Sequence, residues 1–178
     1  MPMTEFRHEK FRLRHFVPDD AVALARHAGN RNVWQNLQDD FPHPYTHEHA
    51  AQWIATAINA TPPTHFAIDV NGEAVGAIGY RILPGGYNAE IGYWLGEEFW
   101  KQGIATAAMG LMVEHIFSQF NIMCLVANVF EFNHASIRVL QKHGFRLIGW
   151  QTATKGGRRV QQIIYSRGRC ADRGMLNS

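Results

Sequence analysis

The chain has 178 residues and is 46% hydrophobic, which is enough apolar sequence for one domain with a sizeable core. Its 17 lysines and arginines stand against 15 acidic residues, and the net charge of +2 argues against a nucleic acid or an acidic membrane as the partner. Two cysteines are too few for a disulfide framework, so we expect a protein of the reducing cytoplasm.

The two ends of the chain predict a soluble, untargeted protein. Residues 1–10 are charged where a signal peptide would be apolar, and no apolar run approaches the length of a membrane span. The last dozen residues, from about Arg167, have no periodic pattern and predict a flexible tail over residues 168–178. We therefore expect a single domain over residues 1–178 with a core of residues 8–167, as a monomer or homodimer.

The first third of the chain predicts a strand followed by helices, with two prolines, Pro62 and Pro63, as the stop. The predicted elements are a strand over residues 11–16, a helix capped by Asp19 or Asp20 and running to about Ala28, a helical piece over residues 32–37, and a helix after the N-cap Thr46.

The remaining sequence predicts a mixed α+β sheet. Asn71-Gly72 is a strong hairpin signal between the first two of three neighbouring strands. Those strands cover residues 65–70, 74–83 and 89–95; they are followed by a helix over 104–120, a buried strand over 122–129, a helix over 135–143 ended by Gly144, and strands over 145–150 and 160–165.

The junction between the strand ending at Leu95 and the helix beginning at Ile104 predicts an anion site. The first amides of a helix have no intrahelical partner and carry partial positive charge, so they bind phosphate oxygens directly. Gly103 lets the chain approach a ligand, and Ala105 is too small to block it. Taken alone, a single glycine at such a junction is a weak signal, and an ordinary helix start is the alternative. The nucleoside triphosphate and dinucleotide glycine motifs are both absent from the sequence.

Four segments, in order along the chain, resemble the GNAT superfamily and its RimJ/RimL-like branch of protein N-terminal acetyltransferases. They are Phe41–Thr46, Ala89–Trp94, Trp100–Ala105 and Asn133–Phe145. The acetyl-CoA signature of the family is Arg or Gln, two residues, Gly, one residue, and Gly or Ala; Gly103 and Ala105 match it, whereas Trp100 stands at its first position. The resemblance covers about residues 8–167.

This resemblance implies an α+β GNAT fold, with a mostly antiparallel twisted sheet of about seven strands, splayed in the middle and flanked by about four helices. It also implies an acetyl-CoA-dependent N-acetyltransferase without a metal, whose coenzyme arm inserts between the strand ending at Leu95 and the strand over residues 122–129. The implied coenzyme-binding residues are Trp94, Leu95, Gly96, Lys101, Gln102, Gly103, Ile104, Ala105, Thr106, Asn133 and Ser136.

Glu90 is the candidate general base. An acceptor amine has a pKa of about 8 at a protein N-terminus and about 10.4 at a lysine, so it must lose a proton before it attacks. Side chains alternate along a strand, so Glu90, Gly92 and Trp94 share one face, and Gly92 leaves room beside the carboxylate. The alternative is an ordinary polar residue near a strand end.

Ser136 is the candidate general acid, because the resemblance implies a hydroxyl near the coenzyme sulfur at this position. The alternative is that its hydroxyl only caps a helix. The resemblance implies that Asn133 binds the pantetheine chain, a role compatible with capping the same helix. Tyr93 and Glu131 are reserve candidates for proton transfer.

A metal site and a thiol nucleophile are both disfavoured. His43, His47 and His49 lie close in sequence, but the last two are two apart on a helix and point away from each other, and no cysteine or carboxylate completes the set. Cys124 lies in an apolar strand with nothing beside it to hold a thiolate, so we expect a core residue.

The sequence leaves the acceptor open between a protein N-terminus and a small primary amine, both favoured over an internal lysine. We expect its determinants in residues 30–59, where Asp39 and Asp40 are acidic, and in a loop over residues 152–159. A non-catalytic acyl-CoA-binding module is the main alternative. A nucleic-acid-binding domain is disfavoured by the near-neutral charge.

Overall fold

The computed structural model describes residues 5–169, and these form eight strands, five α-helices and two short 3-10 helices. The strands are β1 (Phe6–His8), β2 (Phe11–Arg14), β3 (His65–Val70), β4 (Glu73–Ile82), β5 (Asn88–Leu95), β6 (Cys124–Phe130), β7 (Arg146–Lys155) and β8 (Arg158–Gly168). The α-helices are α1 (Ala21–Ala28), α2 (Arg31–Trp34), α3 (His47–Asn59), α4 (Ile104–Gln119) and α5 (His134–Lys142), and the 3-10 helices are Pro18–Asp20 and Glu97–Phe99.

The strands form one mixed sheet in the order β1-β2-β3-β4-β5-β6-β8-β7. β5 and β6 run parallel, whereas the pairs β1–β2, β2–β3, β3–β4, β6–β8 and β7–β8 run antiparallel. The predicted mixed α+β fold is therefore confirmed, with one strand and one helix beyond the expected numbers. The additional strand β1 escaped prediction because three residues are too few to show a period.

The parallel ladder between β5 and β6 is short. It pairs Asn88 with Cys124 and ends at Glu90 and Val126, although both strands continue beyond these positions. The resemblance implied a sheet that is splayed in the middle, and the early end of this ladder agrees with it.

The chain divides into two compact units, each built from two stretches of sequence. Within the described residues, the first unit is 5–79 with 93–108, and the second unit is 80–92 with 109–169. The single domain over residues 1–178 therefore stays a prediction. β8 continues to Gly168, and the Arg169 N–H donates to the Met123 carbonyl, so the regular structure extends past the predicted end at residue 167. The rest of the predicted tail, residues 170–178, lies outside the described residues.

The first unit has an apolar core to which α1, α3 and two strands contribute. Leu24 of α1 and Ile54 of α3 are fully buried in one cluster with Ala67 of β3 and Ala74 of β4. Burying one such leucine or isoleucine contributes about 1.5–3 kcal/mol. The predicted cap of α3 is present, because the Thr46 hydroxyl accepts a hydrogen bond from the His49 N–H at 3.3 Å.

Asp20 does not cap α1 through its side chain, in contrast to the prediction. Its carboxylate instead accepts two hydrogen bonds of 2.8 Å from the Arg14 guanidinium, which also binds Asp69. Burial acts to raise the pKa of Asp69, but the bonds from Arg14, Arg12 and the Gly72 N–H outweigh it, and the pKa of Asp69 is lowered. The carboxylate oxygens of Asp20 are therefore bound in a buried ion pair instead of capping α1.

The second unit ends in a long hairpin of β7 and β8. Gly156 and Gly157 form its turn with φ of 55° and 76°, and the pairing runs from Lys155 with Arg158 to Arg146 with Ser166. The prediction of a loop over residues 152–159 is therefore wrong, because every residue in this range except Gly156 and Gly157 is paired in the ladder. Polar residues on an exposed strand concealed the ladder, because the apolar alternation that marks a strand is missing there.

Candidate functional site

The stretch between β5 and α4 is the predicted anion site. β5 ends at Leu95, a 3-10 turn follows, and α4 starts at Ile104. Lys101 and Gly103 adopt left-handed backbone conformations with φ of 61° and 81°. Left-handed residues in such a turn aim successive N–H groups toward one side, which creates a concavity for an anion. We call residues 100–106 the phosphate loop.

The phosphate loop presents amides ahead of the helical ladder. The first helical bond runs from the Ala107 N–H to the Gly103 carbonyl at 3.0 Å. Within residues 5–169, no backbone carbonyl accepts from the amides of Gly103, Ile104 or Ala105. Lys101, Gln102 and Gly103 are exposed. The three amides lie at the positive end of a 16-residue helix and, among the described residues, have no backbone acceptor.

Side chains of the same segment brace the phosphate loop. The Trp100 indole N–H donates to the Leu95 carbonyl at 2.7 Å, and the Gln102 amide donates to the Glu98 carbonyl at 2.9 Å. The Trp100 bond gives a physical reason for the departure from the family signature, because the aromatic ring ties the loop to the end of β5. Sequence reasoning noted Trp100 only as a mismatch.

Residues from distant parts of the first unit also contact the phosphate loop or the 3-10 helix that precedes it. Asn30 and Asn32 donate to the two carboxylate oxygens of Glu97 at 2.7 and 2.8 Å. Lys10 donates to the Gln102 carbonyl at 3.2 Å, which brings a second ammonium beside the loop that holds Lys101. Sequence reasoning missed all three residues, because 65 to 92 residues separate each from the residue that it contacts and no local signal marks them.

At the end of β5, some of the backbone groups that were predicted to bind the coenzyme already have partners within the protein. The Gly96 N–H donates to the Val75 carbonyl at 2.8 Å, and the Leu95 carbonyl already accepts from Trp100. A Cβ at Gly96 would lie 2.6 Å from His27 Nδ1, so the close packing of His27 requires glycine there. Of the predicted segment Trp94 to Gly96, the Gly96 amide is thus engaged within the first unit.

Glu90 lies in the second unit with both carboxylate oxygens in hydrogen bonds. The Asn128 amide donates to Oε1 at 2.7 Å, and the Arg81 guanidinium binds Oε2. Glu90 is partly exposed, Ala89 and Ile91 are buried, and Gly92 is exposed, which confirms the predicted alternation. A Cβ at Gly92 would meet no atom within 4 Å. The carboxylate is therefore oriented by two partners, and open space lies beside it.

Asn133 is the N-cap of α5, and Ser136 is not. The Asn133 Oδ1 accepts a hydrogen bond from the Ser136 backbone N–H at 3.1 Å, so the cap uses the backbone of Ser136 and leaves its hydroxyl out. Capping therefore does not account for the Ser136 side chain. Asn133 keeps the N–H groups of its side-chain amide as donors.

Two of the three histidines in residues 43–49 have structural partners. His43 stacks on Trp34 with ring centroids 4.6 Å apart, and His49 Nδ1 accepts from the Thr46 N–H at 3.2 Å. Among residues 5–169, no group of three or more histidines, cysteines and carboxylates is arranged to hold a metal ion. Cys124 is half-buried, with its Sγ 2.8 Å from the Ser166 hydroxyl. The reserve candidates lie on β5, where Tyr93 is half-buried, and after β6, where Glu131 is exposed.

Three comparisons with known proteins agree on the fold. The family model of the acetyltransferase (GNAT) domain matches residues 10–146. An uncharacterised N-acetyltransferase of Bacillus subtilis (strain 168), YoaA, is 33% identical over 102 residues, and this match spans 53% of the chain and 58% of that protein. Across the described part of the chain, no helix is both long and apolar enough to span a membrane.

Two solved structures are similar over nearly the whole chain. An acetyltransferase (GNAT family) from Bacillus anthracis superposes with a TM-score of 0.83 at 19% identity, covering 93% of this chain and 99% of that one. RimL, a ribosomal L7/L12 alpha-N-protein acetyltransferase solved in complex with coenzyme A, superposes with a TM-score of 0.81 at 25% identity, covering 93% and 97%.

Proposed function

The chain belongs to the GNAT acetyltransferase family, and on that premise we propose that it transfers the acetyl group of acetyl-CoA to a primary amine, either a protein N-terminus or a small molecule. The observation that carries this proposal is the phosphate loop. Within residues 5–169 its amides from Gly103 to Ala105 have no backbone acceptor, and its backbone is left-handed at Lys101 and Gly103. The coenzyme complex of the similar RimL supports the choice of ligand.

The phosphate loop fits the diphosphate of coenzyme A. A diphosphate needs several converging donors and positive potential, and the loop supplies main-chain N–H groups, a helix N-terminus and the ammonium groups of Lys10 and Lys101. A Cβ at Gly103 would have no neighbour within 4 Å, so the space above this amide is open. Trp100 and Glu97 fix the loop before a ligand arrives, which reduces the entropy lost on binding.

The chemistry needs little from the protein beyond position and two proton transfers. Acetyl-CoA supplies an activated acyl carbon in a thioester. When the amine nitrogen bonds to this carbon, the carbon–sulfur bond breaks, the nitrogen loses a proton, and the thiolate leaves and takes one up. Positioning of the two reactants alone contributes several kcal/mol to such a transfer.

In this proposal Glu90 accepts the proton of the amine. Arg81 and Asn128 hold its carboxylate in one orientation, and a carboxylate with two such bonds still has lone pairs for a third. Gly92 leaves space on the same face for an amine or a bridging water. Base catalysis of this kind contributes about 100-fold or more to a rate.

Ser136 donates the proton that the leaving thiolate needs. Its hydroxyl is not used by the helix cap, so it is available to a ligand. Asn133, held in place by its capping bond, offers its side-chain N–H groups to the amides of the pantetheine chain.

The acceptor in this proposal is an amine with an accessible nitrogen, and the name of RimL, an alpha-N-protein acetyltransferase, makes a protein N-terminus the first candidate. The first unit contributes acidic Asp39 and Asp40, both exposed, which attract a cationic acceptor. The hairpin of β7 and β8 is a ladder instead of a variable loop, so we place the main determinants of acceptor choice in residues 30–59.

A thiol-release assay tests the function. The protein is mixed with acetyl-CoA and, separately, with peptides that have a free N-terminus, the same peptides with a blocked N-terminus and an internal lysine, and polyamines. We expect thiol release and acetylated product, identified by mass, with a free N-terminus or a small amine and not with the blocked peptide. Binding of coenzyme A without turnover on any amine would instead favour a non-catalytic acyl-CoA-binding module. Absence of binding would refute both.

A further inference from the structure

The net charge of the chain is close to zero, but basic and acidic residues are unevenly distributed along the sequence. Residues 1–131 contain 8 basic and 14 acidic residues, whereas residues 132–171 contain 8 basic residues and no acidic ones. Such a separation of charge is typical of a surface that contacts a polyanion. The net charge of +2 is therefore a poor guide to the partners of the C-terminal part.

Most of these basic side chains lie on the surface of the second unit. Arg138 and Lys142 are exposed on α5, Arg146 is exposed at the start of β7, and Arg158 and Arg159 are exposed beside the hairpin turn. Arg169 has a structural role, since it donates to the carbonyls of Ile122 and Phe120, and we leave it out. Exposed basic side chains thus lie on α5 and at both ends of the hairpin, and two of them, Arg158 and Arg159, lie together beside the turn.

One face of the hairpin combines an aromatic ring with polar and basic groups. Directly opposite residues of antiparallel strands share a face, and the register pairs Trp150 with Ile163, Thr152 with Gln161 and Thr154 with Arg159. Five of these six side chains are exposed, and Trp150 is 62% exposed although it is the largest. We call this set the open hairpin face. The exposed ring of Trp150 is available to stack on a ligand.

We propose that the open hairpin face, which includes Arg159, together with Arg158 beside the hairpin turn, binds single-stranded RNA. Guanidinium groups bind phosphate oxygens in a bidentate manner, and arginine is the more frequent cation on this surface. Trp150 offers a flat ring on which a base stacks, and the threonines and Gln161 offer hydrogen bonds to sugars and base edges.

Two other partners fit the same surface less well. Insertion into an acidic membrane needs apolar side chains at the hairpin turn, where the sequence has Lys155, two glycines, Arg158 and Arg159. The carboxylates of an acidic protein account for the charge, but they do not stack on the exposed ring of Trp150. RNA uses the phosphate-binding, stacking and hydrogen-bonding groups together.

Fluorescence anisotropy with labelled single-stranded RNA, recorded over a series of KCl concentrations, tests the proposal. We expect binding whose affinity falls steeply with salt. Arg158→Gln with Arg159→Gln should lower the affinity about tenfold or more and reduce the slope of log affinity against log salt by about 1.4. Trp150→Ala should weaken binding about tenfold and leave that slope unchanged, because stacking releases no ions.

A matched control separates this surface from charge in general. Arg7→Gln with Arg31→Gln removes the same charge from exposed positions of the first unit, and we expect it to bind RNA like the wild type. Thermal unfolding of each variant shows that it is folded. Absence of RNA binding at low salt, equal losses in both double variants, or stronger binding to polyglutamate or anionic vesicles than to RNA would overturn the proposal. Because the assay contains no acetyl-CoA, its outcome is independent of the acetyltransferase activity.

Discussion

Gly103→Ala is the substitution that most sharply separates ligand binding from folding. Gly103 has φ of 81°, and the position of its missing Cβ is open, with no atom within 4 Å. Alanine in this backbone region costs about 1–2 kcal/mol. For a chain of this size, a loss of 1 kcal/mol lowers Tm by about 2–4 °C. The protein should therefore remain folded.

The effect on coenzyme binding should be larger than this strain. An added methyl group stands in the space through which a phosphate approaches the amides of Gly103 and Ile104, and a hydrogen bond to a charged group is worth about 1.5–3 kcal/mol. Losing one such bond raises the Kd for coenzyme A about 10- to 100-fold. Isothermal titration calorimetry measures this change directly.

Gly85→Ala is the matched control. Gly85 also has a left-handed backbone, with φ of 93°, and its Cβ would likewise meet nothing within 4 Å. It lies in the turn between β4 and β5, outside the phosphate loop, so we expect the same small loss of Tm and an unchanged Kd. Unchanged affinity in Gly103→Ala, or equal weakening in both variants, would refute the assignment of the phosphate loop.

Four further changes test the chemistry and the fold. Glu90→Gln should lower kcat about 100-fold with little change in the Kd of coenzyme A, and an unaltered kcat removes Glu90 as the base. Ser136→Ala should lower kcat more than it weakens coenzyme binding; a change in Tm alone would leave Ser136 with a structural role. Trp100→Phe keeps the ring but loses its hydrogen bond, so calorimetry should show weaker binding by about threefold to tenfold, whereas wild-type affinity would mean that the bond does not shape the loop. The pKa of Asp69 is lowered by folding, so its contribution to stability is complete above about pH 4 and is lost as pH falls through the lowered value; Asp69→Asn should flatten this acid loss in urea unfolding curves, and an identical pH profile would contradict the role of Arg14.

Structure was predicted best from the sequence where the backbone conformation of one or two residues determines a turn or a helix end. Asn71 and Gly72 have φ of 53° and 90°, as the predicted two-residue turn requires, and Gly144 has φ of 74° after α5. Thr46 begins α3 as predicted. These signals are local, so neighbouring residues along the chain are sufficient to interpret them.

Prediction failed where distant contacts compete with local preference. Asp20 has the side chain of a helix cap, yet Arg14 and a buried carboxylate on β3 determine its partners. Lys10 reaches the phosphate loop, and Asn30 reaches the 3-10 helix before it, from positions that no sequence spacing relates to either. The start of α4 after Gly103 was predictable because the glycine and the helical period lie next to each other in the sequence, whereas phosphate binding by this loop stays a prediction.

The crystal structure of the protein with bound coenzyme A tests the central claim most directly. We predict diphosphate oxygens within about 3 Å of the amide nitrogens of Gly103, Ile104 or Ala105. A complex in which the diphosphate lies away from these amides, held by other groups, would contradict the claim.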